Sequence, residues 1–297
     1  MSDISVIVLC LDGSDESVTA ARVALELTEP GSYRFTLATA VPDIESAYVT
    51  GIDPIVPMAP DAQLVEVVEQ RRERAAEMLE AAAAQLGLPE ANREVLFGLA
   101  GPALREYARE HQPALLVTGA RGFNDTRRSG VGEVPDYLVR RAPCPVLVVP
   151  ADIQADRNGP VLVCVDGSEH ARHAALTVVP LLAAGADVEL VTVAAEAPVV
   201  VPDETGYEIL SERKWEAEED VLLDEVATAI ARPDASHTVL SGPPAETLLS
   251  AATRSSSRAM VIGSKGHGLI ARAVLGSVAH KILSEATCPV FVAGPRT

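Results

Sequence analysis

Apolar positions along the chain follow two periods, and the switches between them mark out the elements. Residues 4–11 form a near-continuous apolar run, the pattern of a strand buried on both faces of a parallel sheet. Asp12-Gly13-Ser14-Asp15 then supplies turn chemistry, and the helical spacing over 20–27 predicts an amphipathic helix. A second strand is predicted over 33–40. The proline- and glycine-rich stretch 42–60 follows, irregular and long enough to form a lid. Residues 62–86 read as a strong helix with Leu64, Val67, Val68, Met78, Leu79 and Leu86 on its apolar side. The half closes with strands at 94–97, 115–118 and 145–149 and helices at 103–110 and 137–141.

The same cycle is then written again. A shift of 154 residues lays Val8-Leu9-Cys10-Leu11-Asp12-Gly13-Ser14 on Leu162-Val163-Cys164-Val165-Asp166-Gly167-Ser168. A shift of 144 lays Gly119-Ala120-Arg121-Gly122 on Gly263-Ser264-Lys265-Gly266, and Cys144-Pro145-Val146 on Cys288-Pro289-Val290. The second copy predicts strands at 161–165, 188–193, 238–240, 259–262 and 290–293. Its helices run from Ala171 and over 207–230, 246–253 and 278–283, with a loop at 194–206. Alternating strands and helices predict an α/β chain of two tandem doubly wound domains, each a five-stranded parallel sheet flanked by helices. The expected domains are 1–150 and 160–297, joined by a polar linker at 151–159. Ligands on such sheets bind outside the carboxyl ends of the strands where strand order reverses, and Asp12, Gly119, Asp166 and Gly263 all stand at such ends.

Candidate chemistry concentrates in the stretch from Gly263 to Val278. Gly263-Ser264-Lys265-Gly266-His267 follows a strand, and Gly276-Ser277-Val278 leads into a helix, so a glycine-punctuated loop joins the two. Such a joint suits a phosphate. Gly263 and Gly266 are free to take positive φ and let a ligand approach the backbone, and the amides opening the helix carry partial positive charge. Ser277 is expected to cap that helix or to offer its hydroxyl to a phosphate oxygen. The spacing is not that of a Walker loop, and too little chain follows for Gly266-His267-Gly268 to open a dinucleotide-binding unit. Asp12 and Asp166 admit two readings, plain turn formers or strand-end carboxylates that face a ligand. Lys265 and His267 likewise read either as ligand contacts or as surface residues of a loop.

Charge narrows the ligand. The 297 residues carry a formal net charge of −18, spread evenly at −9 per half, which argues against nucleic-acid binding. A small anion would need local donors, or a magnesium ion screening its phosphates. Lysine occurs only at Lys214, Lys265 and Lys281, two of the three in or beside the glycine loop. Aromatic residues make up only 3% of the chain, so the interior must be built from Ala, Val, Leu and Ile. No apolar run approaches 18 residues, and the expectation is a cytoplasmic protein with no membrane contact. Cys10, Cys144, Cys164 and Cys288 form no metal-binding pattern and read as small buried thiols. His170 and His173 stand three apart on a helix but lack a third ligand, so a solvated face is expected rather than a metal site. No nucleophile with its base is evident, so no catalytic residue is assigned.

With these residues in view, the chain resembles the universal stress protein family in its tandem two-domain form, over nearly its whole length. The likeness rests on Val165-Asp166-Gly167-Ser168, Gly242-Pro243-Pro244-Ala245, Gly263-x-x-Gly266 with nine residues to Gly276-Ser277, and Cys288-Pro289-Val290; Asp12-Gly13-Ser14, Gly119-x-x-Gly122 and Cys144-Pro145-Val146 repeat it. In the ATP-binding branch of that family the resemblance implies a nucleotide at the switch point, with Asp166 toward ribose or adenine, Val193 offering backbone groups to adenine, and Gly263, Gly266, Gly276, Ser277 and Val278 about the phosphates; Ser264, Lys265 and His267 complete the candidate cofactor-binding residues of this copy. Asp12, Ala40, Gly119, Arg121, Gly122 and Gly132 are the counterparts in the first copy. There Glu133 replaces Ser277 and Pro135 removes an amide, so the first domain is expected to bind ATP weakly or not at all, with Arg121 partly compensating. The functional expectation is an ATP-binding, stress-response regulatory module. The alternatives are a slow ATPase or adenylyl-handling enzyme, and a nucleotide-independent scaffold assembling through its fifth strands. Domain pairing within the chain and a homodimer are expected on the same ground.

Overall fold

The computed structural model describes residues 5–29, 31–43, 61–122, 130–194, 200–203, 206–209, 212–266 and 274–295, with the backbone alone at 61–65, 200–203, 206–209 and 212–219. Most of the expected lid at 42–60, and His267, therefore lie outside the described residues. The chain divides into two compact units, Met1–Ala151 and Asp152–Pro295.

In the first unit the elements run β1 (Val6–Cys10), α1 (Asp15–Leu27), β2 (Arg34–Val41), α2 (Asp61–Leu86), β3 (Asn92–Phe97), α3 (Ala100–His111), β4 (Leu115–Gly119), α4 (Glu133–Arg141) and β5 (Val146–Val149). Every one of the described strand pairs is parallel, and the order is β3-β2-β1-β4-β5. Strand order reverses between β1 and β4, which places their carboxyl ends at the switch point.

The second unit repeats this with β6 (Val161–Cys164), α5 (Glu169–Val178), β7 (Val188–Ala194), α6 (Glu212–Ala229), β10 (Ser236–Ser241), α7 (Pro244–Arg254), β11 (Ala259–Gly263), α8 (Ser277–Glu285) and β12 (Val290–Ala293). Its parallel order, β10-β7-β6-β11-β12, reverses between β6 and β11. One departure from the expected elements lies between β7 and α6. Instead of a loop to residue 206 and a helix from 207, an antiparallel hairpin of β8 (Val200–Asp203) and β9 (Gly206–Ile209) precedes the helix. The β-branched run Val199-Val200-Val201 favours that ribbon over helix.

Alanine shapes the core as much as leucine does. On α2 the buried face is Ala75, Leu79, Ala82 and Ala83, at the expected helical spacing, whereas Val67 is 39% exposed. Ala20, Ala21 and Ala24 on α1 and Ala171, Ala174 and Ala175 on α5 are likewise buried, which lets these helices lie close on the sheet. Among the described residues Phe291 is the largest fully buried side chain. The expected linker is not a free tether, because Gln154 N donates to Thr287 O (2.8 Å) and Gly159 N to Ser256 O (2.9 Å), holding it to the second unit.

Candidate functional site

The site of the second domain starts where β6 ends. Gly167 at φ 77° turns the chain, Asp166 Oδ1 accepts from Ser168 N (2.9 Å), and Ser168 Oγ accepts from Ala171 N (3.2 Å) to cap α5. Asp166 is therefore a turn former. Its other oxygen is aimed elsewhere: a Cβ on Gly266 would lie 2.7 Å from Asp166 Oδ2. Oδ1 thus serves the turn, and Oδ2 is set against the glycine loop.

The glycine loop owes its glycines to close packing, not to backbone sign. Neither Gly263 nor Gly266 adopts positive φ, contrary to the expectation above. A Cβ at Gly263 would stand 2.6 Å from Ala171 N and 2.8 Å from His170 C, and one at Gly276 would meet Lys265 Cα at 3.3 Å. The loop can rest on the first turn of α5 only because Gly263 has no side chain, and the start of α8 can lie against the loop because Gly276 has none.

Two residue roles are corrected at the helix start. Gly276, not Ser277, is the N-cap of α8, and Ser277 is its first helical residue. The first intrahelical bond is His280 N to Gly276 O (2.9 Å), so the amides of Ser277, Val278 and Ala279 precede the ladder, and the Ser277 hydroxyl makes no cap. Ser264, a candidate cofactor-binding residue, does not line the cavity. Its N donates to Ala293 O (2.8 Å), its O accepts from Gly276 N (2.9 Å), and its Oγ lies 2.9 Å from His170 Nδ1.

Asp166, Val193, Gly263, Lys265, Gly266, Gly276, Ser277 and Val278 all line one cavity of about 310 Å³ outside the carboxyl ends of β6, β7 and β11. That volume falls in the range of small-molecule sites. Sequence reasoning missed its apolar wall, formed by Val191, Pro244, Leu248, Ile262 and Ile282. Pro244 stood in a motif already singled out, but Leu248 and Ile282 read only as helix core. The cavity is thus apolar on one side, with a strand-end carboxylate at Asp166, a lysine, and a helix N-terminus on the other.

Two titratable groups beside it are perturbed. Burial raises the Cys164 thiol far above its ordinary value, with the nearby Cys288 and Asp166 charges adding to this, so it is no nucleophile. Burial and then the Lys265 charge lower His170, against the opposing pull of Glu169 and Asp166. Among the described residues no group of three His, Cys, Asp or Glu side chains converges as a metal site.

The first domain repeats the scaffold. Asp12 Oδ1 accepts from Ser14 N (3.0 Å) and Ser14 Oγ (2.6 Å), and a Cβ on Gly122 would lie 2.7 Å from Asp12 Oδ2. Gly119 closes β4, Ala40 lies on β2 opposite Leu96, and Arg121 is half-buried. Gly132 caps α4 and donates its N to Ala120 O (2.7 Å), as Gly276 does to Ser264. The chemistry at the helix start differs. The first turn of α4 holds Glu133 and Asp136 with Pro135 between them, whereas the first turn of α8 carries no acid.

Fold and site together define a duplicated, doubly wound α/β protein with a glycine-lined cavity at the switch point of its second domain. The model of the universal stress protein family matches residues 4–150 and again 158–294, and the chain belongs to that family. A universal stress protein of Mycobacterium tuberculosis is 33% identical over 205 residues, covering 67% of this chain and 68% of its own length. Another from the same organism is 27% identical over 299 residues, covering 97% and 95%. Among solved structures, a universal stress protein from Archaeoglobus fulgidus superposes with TM-score 0.68 at 16% identity, covering 98% of this chain and 99% of its own. No helix among the described residues is long and apolar enough to cross a membrane.

Proposed function

We propose that the second domain binds an adenine nucleotide, ATP with or without magnesium, and that the protein acts as a nucleotide-dependent regulatory module in the stress response of the cell. The observation that carries this is the convergence in one cavity of Asp166, Val193, the glycines at 263, 266 and 276, Lys265 and the start of α8. The apolar wall suits a base, the Asp166 carboxylate suits sugar hydroxyls, and the amides of Ser277 to Ala279 with the Ser277 hydroxyl suit phosphate. Among the described residues Lys265 is the one cation lining the cavity, in a chain of net charge −18.

Binding without fast turnover is part of the reading, since the cavity offers a deeply buried thiol and no activated nucleophile. A cytoplasmic setting and a homodimer belong to the same proposal. Titration of MgATP into the full chain tests it, with adenosine as the ligand that lacks phosphate. Micromolar binding of ATP and much weaker binding of adenosine are expected; equal affinities, or none for either, would refute it. Labelled ATP incubated with the protein should show no sustained multiple turnover.

A further inference from the structure

The spacing of His170 and His173 suggested a solvated pair, yet His170 is half-buried and its Nδ1 lies 2.9 Å from Ser264 Oγ, a contact that spans 94 residues of chain. Backbone encloses the pair. A Cβ at Gly294 would collide with both Ser264 Oγ and His170 Nδ1, and a Cβ at Gly263 would lie 2.8 Å from His170 C. Ser264 is a junction: its N is tied to the end of β12, its O receives the amide of Gly276, and its Oγ meets the imidazole. Because Gly276 caps α8, whatever fixes Ser264 also fixes the helix start that fronts the cavity.

The backbone half of this junction recurs in the first domain, with Ala120 N to Val149 O (2.7 Å) and Gly132 N to Ala120 O (2.7 Å). The side-chain half does not. Ala120 has no hydroxyl, and Glu16 stands where His170 does, its carbonyl 3.6 Å from a Cβ on Gly119.

Resting on the nucleotide reading of the cavity, we infer that His170 is a positioning residue of the glycine loop, holding Ser264 and through it the start of α8, and that it takes up a proton when an anionic phosphate is seated. Among the described residues the groups acting on its ring are Lys265 from the loop, Asp166 from the preceding turn, and Glu169 and His173 from its own helix; Gly294, beyond β12, brings no charge. Lys265 and Asp166 line the cavity and both act on the ring, so a phosphate there acts on it too, with the sign of Asp166. In the free protein, burial and Lys265 hold the imidazole below its ordinary 6.5 and keep it neutral near neutral pH. The complex then binds more protons than the free protein, and affinity gains as pH falls from the pKa of the imidazole in the complex toward its lowered value in the free protein. The contact to Ser264 survives protonation, since an imidazolium Nδ1–H donates to the hydroxyl oxygen.

Two measurements on the full chain test this. In ligand-free protein, amide exchange at Ser264 and Gly276 should quicken roughly fivefold in His170→Leu and in Ser264→Ala, the factor corresponding to about one net hydrogen bond. It should stay near wild type in His170→Asn, whose amide stands in for Nδ1, and in His173→Asn. Unchanged exchange in both His170→Leu and Ser264→Ala overturns the positioning role whether or not nucleotide binds.

With MgATP as probe, calorimetry near pH 6 in buffers of different ionisation enthalpy should show more proton uptake in wild type than in His170→Asn. Equal uptake by the two overturns the proton linkage and leaves nucleotide binding standing. If wild type binds no ATP, the nucleotide reading and the linkage both fall, and the exchange result alone decides the positioning role.

Discussion

Replacing Ser277 by glutamate gives the second domain the helix start of the first, and its effect follows from the geometry. Ser277 is the first residue of α8 and lines the cavity beside Gly276 and Lys265. A carboxylate there removes a hydroxyl donor and sets like charge against phosphate. Two unit charges about 4 Å apart at an effective dielectric of 20 repel by about 4 kcal/mol. Salt and outward rotation of the side chain lower this, so about 2 kcal/mol is a floor, corresponding to roughly a thirtyfold loss of affinity. Ser277→Ala, which loses only the hydroxyl, should cost roughly fivefold. Titration calorimetry of MgATP into both variants measures the difference. Glutamate and alanine variants of equal affinity would show that charge at this helix start is irrelevant. The reciprocal Glu133→Ser should raise the stoichiometry above about one per chain, while Pro135 still withholds one amide. Wild-type protein that already binds at two equal sites would refute the asymmetry.

Further outcomes follow from packing and burial. Gly263→Ala drives a Cβ to 2.6 Å from a backbone nitrogen of α5 and should destabilise the second domain by about 3 kcal/mol, read as a shift in the urea midpoint. Gly266→Ala meets the Asp166 Oδ2 carboxylate oxygen at 2.7 Å, which can swing only by breaking the bond from Ser168 N, so ATP affinity should fall more than stability; the reverse ranking would contradict the roles given to the two glycines. Burial pushes the Cys10 thiol up to about 12 and the Cys288 thiol up to about 11, and Cys164 higher still, so a thiol reagent at pH 8 should leave these three unmodified until the protein unfolds. Rapid labelling of any of them in native protein would place it nearer the surface than the structure does.

The doubly wound fold was legible because its central strands are buried on both faces. β1, β6 and β11 read as near-continuous apolar runs, as buried parallel strands do, and β4 is apolar up to the buried Thr118. The outer strands β3 and β10 carry charged and polar ends and only half-buried centres, and their pattern underestimates their length. The helix starts were read late for a related reason. Asp15 and Glu169 are polar first-turn residues that stabilise a helix through capping and charge, not through an apolar face.

At the site, spacing singled out the glycines and Asp166 because close approach leaves a mark in the sequence. It could not separate Ser264 from Ser277, since both are serines beside glycines. Only the third dimension shows one bonded to His170 and the other on the cavity wall. Nor could it find Leu248 and Ile282, whose spacing is that of any packed helix.

The two helix starts use one physical resource in opposite ways. In α4 the exposed amides and the positive end of the helix dipole are complemented from within the chain, by Glu133 and Asp136, an arrangement worth about 0.3–1 kcal/mol to the helix for each acid. In α8 no acid occupies the first turn, and on the nucleotide binding proposed above the anion at that end of the helix is the phosphate of the ligand. On that proposal the second domain forgoes stability when empty and gains it on binding. Ser277→Glu should therefore raise the urea midpoint of the ligand-free second domain slightly while lowering its affinity for ATP, and saturating ATP should stabilise wild type but not the variant. A variant that is less stable than wild type without ligand would mean that the helix start is shaped by packing around the Ser277 side chain, and that the opposition between internal and external anion is not what distinguishes the two domains.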